Sequence, residues 1–195
     1  MRYNIPDDQN EILPNLLGLN TPEAISLSEF EGFLKTEIEL TESLTRGTRF
    51  NVQYILKIHK LALGHLYSFA GKYRDVNISK GGFPFAAARF LPETMKSFEN
   101  EILFHLQNVY SEKNLLILDI AKVHGELLLI HPFREGNGRT ARIFANLMTR
   151  KHGFNPLRFD KITDERFDEY VEAIQATASK NYQKMERLIN SIFAD

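Results

Sequence analysis

Residues 119–152 read DIAKVHGELLLIHPFREGNGRTARIFANLMTRKH, and this stretch decides the fold. Its first part, Asp119–Ile130, is apolar almost all round, which is typical of a helix buried at the centre of a bundle. Its last part, from about Arg139 to His152, spaces its apolar side chains at helical intervals. His131-Pro132 ends the first helix. The stretch therefore predicts two central helices joined by a short polar loop.

Outside this stretch, apolar side chains at helical spacing predict further helices on both sides. They are a helix from a Thr21 cap to about Thr45, one through Val52–Leu66, one from Pro92 to Val109, one capped at Thr163, and one over Tyr182–Ile192.

The segment Asp75–Phe90 has a different pattern. Residues 76–79 alternate, Gly81-Gly82 offers a tight turn, and an extended pattern resumes at Phe83. Pro84 restricts the second strand to a sheet edge. We predict an all-α helical bundle that carries one small β-hairpin.

The composition indicates a single globular domain over residues 1–195. The chain is 43% hydrophobic and 25% charged, and it contains no repeat and no Gly/Ser/Pro linker. We expect a core at about residues 50–193 and an N-terminal helical extension at about residues 1–47. The net charge of −1 excludes a global field that recruits nucleic acid or an anionic membrane, so any phosphate site has to be local.

The chain contains no cysteine, which excludes disulfides, thiolate metal sites and cysteine nucleophiles. The longest apolar run, Leu115–Ile130, includes Asp119, Lys122 and Glu126 and is too polar to span a bilayer. The start at Met1 lacks the apolar stretch of a signal peptide. We expect a cytoplasmic protein without a membrane partner, and secretion or translocation stays open.

The loop between the central helices contains a base, an acid, a glycine turn and two arginines. Gly136 and Gly138 let the backbone approach a ligand, and the helix that follows presents free amides to an anion. Arg139 and Arg142 are three residues apart, so both leave one face of the first turn and can hold phosphate oxygens. Together these residues indicate phosphoryl or nucleotidyl transfer to a hydroxyl.

Two histidines need separate interpretations. The ordinary pKa of His131 suits a base, although the dipole at a helix C-terminus favours the imidazolium while burial favours the neutral ring. The sequence leaves open which effect is larger. His124 lies seven residues earlier, which is the wrong spacing for a zinc pair, and we interpret it as a core histidine.

The string His131-Pro-Phe-Arg-Glu-Gly-Asn-Gly-Arg-Thr-Ala-Arg142 resembles the motif of the Fic family, with every defined position matched. Leu17–Glu23, His65–Arg74 and Lys80–Gly82 also resemble landmarks of Fic domains. The resemblance therefore extends over most of the chain. It implies a Fic-type helical bundle in which the hairpin forms a flap.

The resemblance also implies an activity, transfer of AMP from Mg²⁺-bound ATP to a hydroxyl of a target protein. It assigns the residues as follows: His131 the catalytic base, Phe133 a structural anchor, Glu135 the Mg²⁺ ligand, Gly136, Asn137 and Gly138 the anion hole, Arg139 and Arg142 the phosphate contacts, and Ser79, Lys80, Gly81, Gly82 and Phe83 the target-binding flap. The acceptor is a Tyr, Thr or Ser side chain of the target.

Two alternatives belong to other functional classes. One is transfer of another nucleotide or a phosphate group, as in Doc-type relatives, which resemble this chain but carry a lysine at the second glycine; Gly138 argues against it. The other is a regulatory module that only binds nucleotide, which an intact His131, Glu135 and Arg142 make less favourable.

Many Fic proteins carry an inhibitory helix, (Ser/Thr)-x-x-x-Glu-(Gly/Asn), whose glutamate faces the arginine equivalent to Arg142. Neither Glu31 nor Glu186 matches this pattern. Glu31 is followed by a glycine, but the residue four positions before it is Leu27, and Glu186 has Tyr182 at that position and is followed by Arg187. The sequence leaves open whether either glutamate is inhibitory. We therefore expect any inhibitor to be a separate small antitoxin partner, which would make the chain toxin-like.

Overall fold

The computed structural model describes residues 12–80 and 82–193, and it shows a bundle of α-helices with one antiparallel two-stranded sheet. This confirms the predicted fold class. The elements are α1 (Pro22–Glu42), α2 (Val52–Leu63), β1 (Ser79–Lys80), β2 (Phe83–Pro84), α3 (Leu91–Glu101), α4 (Lys113–Ile130), α5 (Asn137–Lys151), α6 (Phe167–Thr177) and α7 (Gln183–Ile192). Short 3₁₀ turns cover Ala88–Phe90, Leu103–His105, Phe159–Lys161 and Asp164–Arg166.

Helix α4 is the centre of the bundle, with eleven of its 18 residues buried. It packs against α5, α6 and α7. It begins at Lys113, one and a half turns before the apolar segment at Asp119 that predicted it. None of the helices in residues 12–80 and 82–193 combines the length and the apolar character needed to cross a membrane.

Helix α1 lies across α2 and α5. Thr21 caps it as predicted, because its hydroxyl accepts a hydrogen bond from the amide of Ala24. The helix ends at Glu42, three residues before the predicted end. Ser43 ends the ladder by donating its backbone N–H and its hydroxyl to the carbonyl of Glu39.

Two more helices end earlier than expected. Helix α2 stops at Leu63, where Gly64 follows. Helix α3 stops at Glu101, and a 3₁₀ turn replaces the continuation to Val109. Val109 is 79% exposed and lies outside the helix, so the prediction that the helix continues to this residue was wrong.

The starts of α5 and α6 also differ from expectation. Helix α5 begins at Asn137 rather than Arg139, because Gly136 adopts the left-handed conformation that the preceding turn requires. Thr163 does not cap α6 directly, since the 3₁₀ turn Asp164–Arg166 intervenes.

The hairpin is shorter than predicted. Ser79 pairs with Pro84 and Lys80 with Phe83, while residues 76–78 stay outside the ladder. Gly82 has φ +77°, which confirms the glycine turn. Gly81 lies outside the described residues.

Candidate active site

The loop 131–136 connects the C-terminus of α4 to the N-terminus of α5, so the predicted site residues share one small region. His131 ends α4 in the left-handed conformation, with φ 54°. Gly136 has φ +76°, and a Cβ there would lie 2.9 Å from both Leu63 and Phe33. The loop therefore needs glycine at this position for its backbone angle and for its close packing.

His131 is buried, with 2% of its surface exposed. Its Nδ1 lies 3.1 Å from the carbonyl oxygen of Leu128, which can only accept, so Nδ1 carries the hydrogen. Burial lowers the pKa of His131 to about 3, and the nearby charges of Arg74 and Lys80 also lower it. Burial therefore favours the neutral ring, and with the hydrogen on Nδ1 the nitrogen that can accept a proton is Nε2.

Phe133 and Asn137 hold the loop in shape. Phe133 is fully buried and stacks on His59 at 3.8 Å between ring centroids. The side-chain amide of Asn137 bonds both backbone groups of Phe133, at 2.8 and 2.7 Å. The side chain of Asn137 thus supports the loop and is not available to a ligand. Its contribution to an anion hole would be its backbone N–H in the first turn of α5.

His59 supports the same loop from α2. Its Nδ1 accepts from the amide of Gly71 at 2.8 Å, so its Nε2 carries the hydrogen and donates to the carbonyl of Glu135 at 3.0 Å. Burial lowers the pKa of His59 to about 4, which keeps this ring neutral. The carbonyl orientation immediately before Gly136 is therefore fixed by a side chain 76 residues away.

The N-terminus of α5 has the features of an anion site. The first hydrogen bond of the helix runs from the amide of Thr140 to the carbonyl of Gly136, at 2.9 Å. The amides of Asn137, Gly138 and Arg139 precede it and have no acceptor within the helix. These three N–H groups and the helix dipole suit a phosphate.

Glu135 and Arg139 form a charged cluster with Glu29 of α1. Arg139 lies 2.8 Å from Glu29 and 3.2 Å from Glu135, and its guanidinium covers the ring of Phe33. Burial raises the pKa of Glu135, and the neighbouring Glu29 raises it further. The second oxygen of Glu29 accepts from the hydroxyl of Tyr67 at 2.7 Å. Arg139 is thus held by two carboxylates.

Arg142 has different surroundings. Its guanidinium lies 5.5 Å from the ring centroid of Phe159, and it is a side-chain hydrogen-bond partner of Tyr170. The hydroxyl of Tyr170 lies 2.7 Å from Nε2 of His124, whose Nδ1 donates to the carbonyl of Ala141 at 3.3 Å. His124 is a buried core histidine, as expected from its position. In the described part of the chain, no ion pair joins Arg142 to a carboxylate.

The hairpin covers His131. Phe85, which follows β2, stacks on the imidazole with the ring centroids 4.0 Å apart. Lys80 of β1 lies over the ring of Phe167, and burial lowers its pKa. Of the predicted flap residues, Ser79 and Lys80 lie in β1 and Phe83 in β2, with Gly82 in the turn.

The Fic/DOC family model matches residues 49–149, more than half of the 195 residues. The chain belongs to the Fic/DOC family. Protein adenylyltransferase VbhT of Bartonella schoenbuchensis is 31% identical over 153 residues, which cover 76% of this chain and 31% of VbhT. The protein named "Probable protein adenylyltransferase y4lH" of Sinorhizobium fredii is 26% identical over 197 residues, which cover 97% of this chain and 100% of that protein.

Solved Fic structures have the same fold. The N-terminal FIC domain of Bep8 from Bartonella sp. 1-1C superposes with a TM-score of 0.79 at 19% identity, covering 98% of this chain and 94% of that one. BepC from Bartonella tribocorum, solved with bound AMPPNP, gives 0.76 at 22% identity, covering 96% and 94%. The chain spans about a third of the length of VbhT and of the Nematostella vectensis adenylyltransferase Fic, a 30% identical relative.

The carboxylate that reaches the Fic motif from α1 is Glu29. Glu31 is exposed, Glu186 is half-buried on α7, and within residues 12–80 and 82–193 neither forms an ion pair with Arg142. Glu29 shares the buried face of α1 with Phe33, Thr36 and Leu40. A glutamate on that face was the signal in the sequence that it has a buried partner.

His59 and Arg74 are the other site residues that the motif did not identify. From the sequence, His59 is only one position of the predicted helix Val52–Leu66, and Arg74 is only the last residue of a family landmark. A polar side chain within an apolar stripe was the available signal for His59.

Proposed function

We propose that this Fic protein is a protein adenylyltransferase that transfers AMP from ATP to a hydroxyl of a target protein. The observation that carries the proposal is a buried, neutral His131 with a basic Nε2, set at one end of a loop whose other end is the anion site of α5. The naming of VbhT and y4lH as adenylyltransferases supports it.

In the proposed reaction the target hydroxyl gives its proton to Nε2 of His131, and its oxygen bonds to the α-phosphorus of ATP. The bond from the α-phosphorus to the bridging oxygen breaks, and pyrophosphate leaves. The amides of Asn137, Gly138 and Arg139 and the guanidinium of Arg142 stabilise the phosphate charge. Because the ring of His131 is 2% exposed and lies under Phe85, the side chains that cover Nε2 have to move for a hydroxyl to reach it.

The residues fit a magnesium ion. Mg²⁺ usually takes one or two carboxylates beside substrate phosphates, and Glu135 supplies one. Gly136 and Arg139 both donate to the same oxygen of Glu135, Oε1. A divalent cation would also offset the raised pKa of this carboxyl. When bound there with ATP, Mg²⁺ neutralises charge on the phosphates.

The target-binding role belongs to the flap residues Ser79, Lys80, Gly81, Gly82 and Phe83. A two-stranded antiparallel sheet suits the addition of an extended target segment that presents Tyr, Thr or Ser. We place the reaction in a cytoplasm, that of the producing cell or of a host, because the Bep proteins are described as translocated effectors.

Regulation by a separate antitoxin is part of the proposal. Arg142 has no carboxylate partner among the described residues, and Glu29 is engaged by Arg139 and Tyr67. A partner that presents a glutamate to Arg142 would occupy the place of the γ-phosphate and stop transfer.

The test uses ATP labelled at the α- or at the γ-phosphate, with Mg²⁺ and cell lysate. Label should enter protein only from the α-position, and mass spectrometry should show one AMP per acceptor. His131→Ala should lower the rate by about 100-fold or more while ATP still binds, because proton transfer is lost and the phosphate site is kept. His105→Ala, at an exposed histidine, is the control.

Protein labelled from the γ-position would assign the chain to phosphate transfer instead. A His131→Ala variant within a few-fold of the wild-type rate would remove the base from the mechanism.

A further inference from the structure

Arg74 is buried, with 4% of its surface exposed, and its side chain bonds only backbone carbonyls among the residues that the structure describes. Its Nε donates to His131 at 2.8 Å, its Nη1 to Val76 at 2.6 Å and its Nη2 to Ala86 at 2.5 Å. Its own amide donates to the carbonyl of Pro132 at 2.9 Å. One residue therefore contacts the base-bearing segment at two points and the hairpin at two more.

The two hairpin contacts lie on either side of the sheet. Val76 precedes β1 and Ala86 follows β2, so the guanidinium joins both ends of the hairpin to each other. A planar group with five donors in a fixed geometry can bond three separate carbonyls, whereas a lysine ammonium at the end of a flexible chain cannot span them.

No ion pair joins Arg74 to a carboxylate in residues 12–80 and 82–193. A charge that is buried without a counter-charge is costly unless hydrogen bonds compensate for its lost hydration. Those bonds are the ones to His131, Val76 and Ala86. The guanidinium thus fixes the backbone at His131, Val76 and Ala86 and does not neutralise an acidic side chain.

The contacts of Arg74 also determine how Phe85 of the hairpin segment is placed relative to His131. The carbonyl that Arg74 holds belongs to His131, whose backbone is in the left-handed region that costs energy for a residue with a Cβ. The carbonyl on the other side belongs to Ala86, next to Phe85, the residue that stacks on the imidazole at 4.0 Å. Arg74 therefore fixes both members of the stack.

We propose that Arg74 is a positioning residue that couples the hairpin to the catalytic base, by fixing the backbone of His131 and the register of Phe85 above it. The inference rests on the proposed function where activity is measured. Its second measurement, the NMR shift of the His131 ring protons, does not depend on that function. It predicts that loss of the Arg74 contacts impairs proton transfer from the target hydroxyl to His131 and leaves ATP binding unchanged.

The main variant is Arg74→Lys, which keeps the positive charge and loses the three-way geometry. Arg158→Lys is the matched control, since Arg158 is exposed and pairs with Asp160. Three quantities are measured: the affinity for ATP, the initial rate of AMP incorporation into lysate protein, and the NMR shift of the His131 ring protons, assigned by their disappearance in His131→Ala.

Arg74→Lys should lower the incorporation rate by about 10- to 100-fold, because misplacing a reacting group by about 1 Å has effects of this size. Its affinity for ATP should stay within twofold of wild type. The His131 ring signals should move downfield as the shielding by the stacked Phe85 is lost. Arg158→Lys should match wild type in all three.

Phe85→Leu and the double variant Arg74→Lys/Phe85→Leu complete a double-mutant cycle. If Arg74→Lys is poorly folded, Phe85→Leu alone still tests the stacking on His131. Phe85→Leu alone should reproduce the ring shift, and the double variant should be no slower than the slower single variant, because both changes break one coupled unit. If the rate loss in the double variant equals the product of the two single losses, the two residues act independently and the proposed coupling is overturned. Unchanged ring shifts in Arg74→Lys, or a fall in ATP affinity parallel to the fall in rate, would also overturn it. If wild type labels no protein, the proposed function fails and the ring shifts still decide the role of Arg74.

Discussion

At the scale of single residues, the two arginines of the motif have opposite environments although they are one helical turn apart. Arg139 lies between Glu29 and Glu135, whereas Arg142 lies beside Phe159 and Tyr170. The guanidinium of Arg142 is thus held by an aromatic ring and a hydroxyl, and its charge is left for a ligand. Its Nε is buried and makes no hydrogen bond among the described residues.

The contact with Tyr170 can be tested by Tyr170→Phe, which removes one hydroxyl from a buried ring. We expect the affinity for ATP to fall by about 10-fold, the lower end of the range of about 1.5–3 kcal/mol that a hydrogen bond to a charged group contributes. The affinity for ADP should stay unchanged, because the proposed partner of Arg142 is the γ-phosphate. Isothermal titration calorimetry measures both.

Tyr182→Phe is the control for this experiment, because it removes a hydroxyl that bonds Glu126 at 2.6 Å outside the motif. An equal loss of ATP and ADP affinity in Tyr170→Phe would contradict the orienting role and indicate a general change in packing.

The candidate site residues could be located from the sequence because they are consecutive in one motif, and their roles in the chemistry stay a prediction. The residues that hold them in place could not be located. Glu29, Tyr170 and Arg74 come from other parts of the chain, and their contacts with residues 131–142 exist only once the helices have packed. A linear pattern contains no information on those distances.

At the scale of elements, the crossing of α1 and α2 depends on Gly32. A Cβ at this position would lie 2.0 Å from the carbonyl oxygen of Ala62 and 2.7 Å from the ring of His65. The two helices can approach this closely only where a side chain is absent. Glu29 is one turn earlier on the same helix, so this crossing also sets its reach to Arg139.

Gly32→Ala should therefore destabilise the protein, even though alanine is the better helix former by about 1 kcal/mol. Overpacking typically costs about 1–3 kcal/mol, and the contact here is with backbone, which cannot rotate away. We expect a net loss of about 1–2 kcal/mol in the free energy of unfolding, measured by urea denaturation.

Gly47→Ala provides the comparison, because the only atom near its added Cβ would be the hydroxyl of Thr45 at 3.7 Å. This variant should stay within about 0.5 kcal/mol of wild type. A Gly32→Ala variant as stable as Gly47→Ala would show that α1 can move away from α2 without cost.

Helix starts and helix ends differed in how well the sequence predicted them. Thr21 marked the start of α1 because the capping residue and its acceptor amide are three positions apart. The ends at Glu42 and Glu101 depend on which local hydrogen bonds replace the helical ones. The apolar spacing continued to Val109, but this residue is exposed. Periodicity alone does not distinguish these cases.

At the scale of the whole molecule, burial keeps three histidines neutral. The pKa is lowered to about 4 for His59, to about 3 for His124 and to about 3 for His131, in each case mainly by burial. In the unfolded chain these rings regain their ordinary pKa of 6.5. Between those values the unfolded state binds protons that the folded state does not.

The free energy of unfolding should therefore fall as the pH drops below about 6.5. Each ring contributes a slope of up to about 1.4 kcal/mol per pH unit, so three contribute up to about 4. Glu135 opposes this trend, because its raised pKa favours proton uptake by the folded state. Urea unfolding at pH 7, 6, 5 and 4.5 measures the slope.

His124→Gln should lower the stability at pH 7 and also reduce the slope by about a third, since one proton is removed from the linkage. His105→Gln, at an exposed histidine, should leave the slope unchanged. A slope below about 1 kcal/mol per pH unit in wild type would contradict the neutral burial of these rings.

The central position of α4 gives the molecule an internal reference for deuterium labelling. Helix α4 has eleven buried residues and packs against α3, α5, α6 and α7, so the amide hydrogens in its middle should exchange only when the whole bundle opens. The hairpin has two residue pairs in its ladder, so its amides exchange through local opening. The α4 amides therefore report global stability and the hairpin amides report access to His131, both from one protein sample under one set of conditions.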